Sequence, residues 1–349
     1  MKILSIIVPA YNMENYLAKG LESILCISNP SVLDVIVIND GSKDCTIEIA
    51  KSFEYQYPGI VTVIDKENGN YGSCINVGLK EAKGKYIKIL DADDRFATTN
   101  FEKMVGELSD KDVDIFFTDL VKEYTSGKKI EYHFDLPVRE IVDIRRVCNS
   151  NAFLDIQMPA ITYRTELLKR INYHQTENIS YTDQEWCFSP IFQAKTIYYL
   201  NIPVYLYLLG REGQTMDFVV MQKRISHTIK SFLSMLHSVE HSSIPAYLEN
   251  FVNTRLFLRA CYIYDFYLLN NKRVHSALQS LDAELMRCCP AVYNLCGKRH
   301  YRQYIPYCYI AKWRCGRSRI PVTIKTLAKI FDLIGILRLS LLKVKTKLL

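Results

Sequence analysis

Residues 86–96, "YIKILDADDRF", run from an apolar segment straight into three carboxylates, Asp91, Asp93 and Asp94, packed within four positions. Tyr86 to Leu90 has the length and composition of a buried strand. Acids crowded at such a strand end repel one another, and burial penalises their charged forms further. A chain that keeps them there needs a cation at that place.

Moving outward, the first third of the chain alternates β-branched apolar runs with amphipathic stretches. That is the pattern of a parallel sheet covered by helices. Strands are expected at Leu4 to Val8, Val35 to Ile38, Val61 to Ile64, Tyr86 to Leu90 and Ile115 to Thr118. Helices are expected at Glu14 to Leu25, Thr46 to Tyr55, Ser73 to Ala82 and Asn100 to Leu108, with Asp44 or Thr46 as an N-cap. "EYTSGKKIEYHF" predicts a hairpin about Ser126-Gly127. Residues 183–193, "DQEWCFSPIFQ", read as helical despite Pro190, and "TIYYLNIPVYLYLL" as two short strands split by Pro203. Residues 218–290 read as mostly helical.

The chain has 349 residues, 49% hydrophobic and 23% charged, which fits a soluble globular protein of two domains, or of one large α/β domain with an extension. Its apolar N-terminus, "MKILSIIVPAYN", is too short for a signal-peptide core and ends in Pro9, so it reads as a first strand and the protein as cytoplasmic. The 11 cysteines lack paired spacing, which predicts reduced, mostly buried thiols. The sequence divides by character into residues 1–215, a helical region 216–295 and a basic tail 296–349. That tail holds 13 Lys and Arg against Asp332 alone, whereas the whole chain carries only +7. Leu327, Ile330, Phe331, Ile334, Leu337, Leu341 and Leu348 fall near one helical face, and charges at Lys329, Asp332 and Arg338 interrupt the ~20 apolar residues a spanning helix needs. The pattern fits a basic amphipathic helix on the inner face of an anionic membrane, each Lys adding about 1 kcal/mol, or else a helix covering the protein's own core.

Ligands of open α/β sheets bind beyond the carboxyl ends of the strands. Three of the expected strands end in polar signatures: "VPAYN", "INDGSKDCT" and "DADD". Tyr11 can stack on a flat base, and Asp40 can accept from a ring N–H or a ribose hydroxyl. Asp-x-Asp suits Mg²⁺ or Mn²⁺, which take one or two carboxylates and complete their shells with water and substrate phosphates. Alone, the acids could equally cap the next turn; with the other two strand ends they describe one pocket.

"SIIVPAYNMENYLAKGLESIL", "VIVINDGSKDCTIEIA" and "NGNYGSCINVGLKEAKGKYIKILDADD" together resemble the family 2 glycosyltransferases of the GT-A fold. The resemblance implies a Rossmann-like, mostly parallel nucleotide-binding sheet flanked by helices, here with a C-terminal helical extension. It covers about residues 3–120 closely and 157–215 more loosely. By the family's pattern Pro9, Ala10, Tyr11 and Asp40 hold the base, and Lys66 and Asn68 join the donor site. Asp91 faces the ribose side, Asp93 carries the Mn²⁺ or Mg²⁺ that bridges the diphosphate, and Asp94 has no clear role. The family's base lies in a Glu-Asp pair opening a later helix. Here "YTDQEWCF" puts Asp183 at the Asp and Thr182 at the Glu; an N-cap would use the same residue type. Arg211 of "GREGQT" either reaches the diphosphate or is a solvated loop arginine.

The implied activity is transfer of a sugar from a nucleotide-diphosphate sugar, UDP being the commonest donor, to a glycan or lipid-linked glycan in cell-surface polysaccharide assembly. Asp183 would deprotonate the acceptor hydroxyl and the anomeric centre would invert. The alternatives are a phosphohydrolase with Asp91 as nucleophile, or nucleic-acid binding through the tail, which is not expected. "HSVEH" at residues 237–241 matches a zinc-hydrolase pattern but runs into "SSIP" without a marked third ligand. "GLKEAKGK" is one residue too long for a P-loop.

Overall fold

The apolar runs that open the chain become its innermost strands. In the computed structural model, which describes residues 1–211, 214, 218–270, 276–317, 319–331 and 333, β1 (Leu4–Ala10) and β2 (Leu33–Asn39) are buried almost throughout. Strands covered on both faces read as unbroken β-branched runs, and these do. β2 is flanked by β3 (Val61–Asp65) and β1 by β4 (Tyr86–Ile89), all in parallel register. Helices α1 (Leu17–Leu25), α2 (Thr46–Gln56), α3 (Asn70–Glu81) and α4 (Thr98–Asp110) follow β1 to β4 in turn, α4 after the two-residue β5 (Arg95–Phe96).

β1 to β4 and the four helices thus lie where the sequence puts them, with shifted ends, as does the fifth expected strand from Ile115. α1 starts at Leu17 rather than Glu14 because Glu14 is spent joining loops: its amide donates to Asp44 and its carboxylate accepts from the Cys45 amide. Asp44 also accepts the Thr46 amide at the opening of α2.

The second half of the sheet is mixed rather than parallel. It comprises β6 (Ile115–Tyr124), β7 (Lys129–Tyr132), β8 (Ile141–Asp143), β9 (Ile161–Arg164) and β10 (Thr196–Leu209). The order is β3-β2-β1-β4-β9-β6-β10-β5, with β7 on β6 and β8 on β10. β9 runs antiparallel to both β4 and β6, whereas β6 and β10 are parallel. The β6–β7 hairpin turns at Gly127, whose φ of +85° favours glycine. Pro203 does not divide β10 in two. It produces register shifts on either side of itself, and the strand continues past it as a bulge.

α5 (Asn151–Leu154) and α6 (Thr165–Arg170) flank β9. The expected helix 183–193 is broken: α7 spans only Asp183–Trp186, and a 3₁₀ turn, Ser189–Gln193, takes Pro190 near its start. A proline cannot donate to the preceding turn, which explains the break. Beyond it lie α8 (Phe218–Lys223), α9 (Ile225–Glu240) and α10 (Glu249–Asp265).

The chain divides into two compact units, Met1–Arg255 and Leu256–Leu349, so α8 and α9 belong with the sheet. The second unit contains α11 (Ser276–Cys288), α12 (Pro290–Gly297) and α13 (Tyr309–Arg314). It is held by paired polar groups: Arg314 on Asp282 at 2.7 Å and Arg299 on Asp265 at 2.6 Å, with Tyr264 and Tyr309 completing the two clusters. All 11 cysteines are free thiols and six are buried, as expected. Among the described residues no helix is long and apolar enough to cross a membrane. Ile334, Leu337, Leu341 and Leu348 of the amphipathic tail lie outside the described residues.

Candidate active site

Three consecutive strand ends are tied together before any ligand is considered. After β1 the chain turns through Asn12 in the left-handed region, φ +53°. The Asn12 amide donates to Ser42 Oγ at 3.0 Å, and its side-chain oxygen accepts the Lys43 amide at 2.8 Å. This locks the "PAYN" loop to the "NDGS" loop and leaves Tyr11 44% exposed at the rim. Asp40 is buried at the end of β2. Its Oδ1 accepts from Lys66 Nζ at 2.5 Å and from the Gly69 amide at 2.9 Å. Asn68 Nδ2 donates to the Asp40 carbonyl at 2.9 Å. Lys66 therefore sits behind Asp40, bonded also to Ser73 Oγ and the Glu67 carbonyl, rather than on the cavity wall.

β4 delivers the acids, and each is held differently. Asp91 Oδ1 accepts from Tyr71 Oη at 2.9 Å. Asp93 Oδ2 accepts from Arg211 Nε at 2.5 Å and is 3.4 Å from Gln214 Nε2. Asp94 faces away from the others' ligands: its Oδ2 accepts from Tyr205 Oη at 2.8 Å and its Oδ1 from the Leu208 amide at 2.7 Å. The same Tyr205 hydroxyl accepts from the Asp91 amide at 3.1 Å. Asp94 is thus the anchor of the acid loop on β10, the role its sequence left unassigned.

Burial, with the neighbouring Asp93 and Asp183 carboxylates, pushes Asp91 up to about 7. Asp94 is likewise raised well above the usual carboxylate range by burial and by Asp93 and Asp91. Beneath them Lys88 is fully buried, its Nζ 2.7 Å from the Pro159 carbonyl and 5.8 Å from the centre of the Tyr205 ring, and burial brings it down to about 7. Lys88 therefore does not act as the counter-ion the acids require. Arg211 supplies one charge, between Asp93 and the face of Tyr16. One guanidinium against Asp91 and Asp93 leaves an excess of negative charge on an all-oxygen donor set, which fits Mg²⁺ or Mn²⁺.

These groups surround a cavity of about 520 Å³. Pro9, Ala10, Tyr11, Asp40, Asn68, Asp91, Asp93 and Arg211 all line it, so eight of the ten residues singled out in the sequence meet at one cavity. Lys66 is one exception, and Asp183 the other. Asp183 is the first residue of α7 and follows Thr182, which holds the N-cap position without a side-chain cap bond. Its Oδ2 accepts from Gln184 Nε2 at 2.9 Å. Its charge bears on Asp91, Tyr71 and Tyr207, which puts it beside the acid loop.

The segment that carries Asp183 is built from both sides. Asn76 pairs with the Gln175 backbone through both ends of its amide, at 2.8 and 2.9 Å. The Asn178 amide reaches the Gly69 carbonyl at 2.8 Å. A side chain at Gly72 would place its Cβ 2.1 Å from the Thr176 carbonyl oxygen, so only glycine allows this approach. On the other side α9 offers His227 Nδ1 to the Ser180 amide at 3.1 Å, Arg224 to Ser180 Oγ at 2.9 Å and Ser231 Oγ to the Tyr181 carbonyl at 3.1 Å. Buried Glu185, raised to about 6 by its desolvation, accepts the Thr176 amide at 2.9 Å. Sequence reasoning missed Tyr71, Tyr205, Tyr207, Ser180, Gln214 and Arg224. Of these Tyr71 lies inside "NGNYGS", Gln214 inside "GREGQT" and Tyr205 and Tyr207 inside "TIYYLNIPVYLYLL", whereas Ser180 and Arg224 lie in no marked motif.

Known proteins share this arrangement to different degrees. Residues 5–171 match the model of Glycosyl transferase family 2. The chain is 27% identical over 211 residues to "Uncharacterized glycosyltransferase EpsJ" of Bacillus subtilis, covering 59% of this chain and 60% of that protein. It is 27% identical over 272 residues to "Minor teichoic acid biosynthesis protein GgaA" of the same organism, covering 66% and 59%. Each match thus spans about three-fifths of the relative. Staphylococcus aureus TarS 1-349, crystallised with UDP-GlcNAc, superposes with a TM-score of 0.65 at 20% identity over 84% of this chain and 83% of that one. The mannosyltransferase PcManGT of Pyrobaculum calidifontis, in complex with GDP-Man and Mn²⁺, superposes with a TM-score of 0.52 at 17% identity, over 84% and 82%. These likenesses establish the GT-A fold.

Proposed function

We propose, from the match of residues 5–171 to the model of Glycosyl transferase family 2, that the protein transfers a sugar from a nucleotide-diphosphate sugar to an acceptor hydroxyl with inversion. The observation that carries the reading is the convergence of Tyr11, Asp40, Asp91 and Asp93 on one cavity, with Asp183 beside it. The base stacks at Tyr11 and meets Asp40, whose orientation Lys66 and the Gly69 amide fix. Asp93, with Asp91, would hold Mg²⁺ or Mn²⁺, which neutralises charge growing on the leaving diphosphate. Arg211 then turns from Asp93 to the phosphate oxygens, a geometry guanidinium groups suit. Asp183 takes the proton of the attacking hydroxyl.

UDP-GlcNAc is the donor named for the TarS structure and teichoic acid the product class named for GgaA, so a UDP-sugar and a cell-surface glycan or lipid-linked acceptor are the readings those likenesses favour. A phosphohydrolase is disfavoured: the Tyr71 hydroxyl holds Asp91 Oδ1 at 2.9 Å, and under the transfer reading the same carboxylate has a cation to hold rather than a phosphorus to attack. The described part of the tail supports attachment to the inner face of an anionic membrane. Helical residues 322–331 expose Val322, Leu327, Ile330 and Phe331 together with Lys325 and Lys329. Thermal-shift titration with UDP-, GDP- and dTDP-sugars, with and without Mn²⁺, tests the donor reading. A Mn²⁺-dependent shift with one nucleotide class supports it, and no shift with any of them contradicts it.

A further inference from the structure

The cavity wall carries two guanidinium groups, and their surroundings differ. Arg211 is neutralised by Asp93 at 2.5 Å. Arg224 donates to an uncharged partner, Ser180 Oγ at 2.9 Å, and among the described residues no carboxylate pairs with it. The group facing it from its own helix is His227, whose Nδ1 accepts the Ser180 amide. Burial, Arg224 and Lys230 hold that imidazole below its usual range, so it is neutral near pH 7 and supplies no negative charge. A half-buried guanidinium without an anion is costly, and a guanidinium beside a hydroxyl at a cavity wall is the donor set that phosphate oxygens fill.

Its place gives the ligand a direction. Ser180 precedes Asp183 by three residues, so Arg224 is tied to the segment that carries the proposed base, whereas Asp91 and Asp93 follow β4. We propose that Arg224 and the Ser180 hydroxyl form an anion-binding subsite that selects acceptors carrying a phosphate-class group near the attacking hydroxyl. The proposal rests on the glycosyltransferase reading. The same chemistry could come from the donor's own diphosphate, and the test separates the two.

Inorganic phosphate is titrated calorimetrically into the full chain saturated with UDP and Mg²⁺, which fills the donor's anion position. The expected result is phosphate binding that persists beside UDP and falls at least tenfold in Arg224→Gln, while Arg224→Lys keeps part of it and UDP affinity stays within twofold. Near-ultraviolet circular dichroism confirms that each variant is folded. Phosphate binding that UDP abolishes, or an Arg224→Gln loss that falls on UDP rather than phosphate, overturns the proposal in favour of the diphosphate. Phosphate affinity unchanged in Arg224→Gln overturns it outright. If UDP itself fails to bind, the donor reading falls, and the UDP-free titration of wild type against Arg224→Gln still decides for or against the subsite.

Discussion

Arg211 Nε stands 2.5 Å from Asp93 Oδ2, in the position a divalent cation on that carboxylate would claim. A cation held by that carboxylate would compete with the guanidinium for one oxygen until a diphosphate drew the arginine away. Arg211→Gln is therefore expected to tighten Mn²⁺ binding to the nucleotide-free protein while lowering turnover by about 100- to 1,000-fold, the usual cost of a lost charge-stabilising donor. Isothermal titration and a nucleotide-release assay read the two effects separately. Weaker metal binding in the variant would mean that Arg211 helps to build the cation site rather than occupy it.

Asp183→Asn keeps the shape of the α7 opening and removes the proposed base. Donor affinity should be unchanged, and transfer should fall by roughly 10²- to 10⁴-fold. The check is sugar transfer against UDP release under one set of conditions; near-normal transfer would place the base elsewhere.

Tyr205→Phe removes one hydroxyl that serves both Asp94 and the Asp91 amide. Losing bonds to buried polar groups costs about 1–3 kcal/mol, so the melting temperature should drop by roughly 2–10 °C. Because Asp94 is an anchor, Asp94→Asn should resemble Tyr205→Phe in stability more than it resembles a loss of the metal. A melting temperature equal to wild type in both variants would contradict that role.

The acid loop also predicts a pH dependence. Asp91 is about 7 when folded against 3.8 for the free side chain. Between those values the folded state keeps a proton that the unfolded state has lost, so the metal-free protein loses stability as pH rises from about 4 to 7. Buried Lys88, lowered to about 7, acts in the opposite direction and in a higher window, adding stability as pH rises above 7. Mn²⁺ should therefore raise the melting temperature more at pH 8 than at pH 5, and Asp91→Asn should flatten the acid-side slope. An equal Mn²⁺ effect at both pH values would remove Asp91 from the cation site.

Much of this site was legible because a strand end is a local event. "PAYN", "NDGS" and "DADD" each pair an apolar run with the polar residues that follow it, and the topology brings those ends together without further information. What stayed hidden depends on contacts across the sequence. Asp94 is explained by Tyr205 and Leu208, more than a hundred residues away, and Lys66 by the carboxylate of Asp40 that it supports. α9 reads as an ordinary amphipathic helix, yet His227, Arg224 and Ser231 brace the segment that carries Asp183. The bulge at Pro203 was misread for a related reason: a proline removes one ladder bond, and parallel pairing with β6 on both sides of it carries the strand across.

The central claim is that Asp93 holds a cation that a nucleotide diphosphate needs. Calorimetric titration of UDP into wild type and Asp93→Ala, each with and without Mn²⁺, addresses it most directly. The account predicts Mn²⁺-dependent binding to wild type and a loss of at least about 100-fold in Asp93→Ala, with no further change when Mn²⁺ is withheld. Equal UDP affinity for both proteins in Mn²⁺ would contradict it.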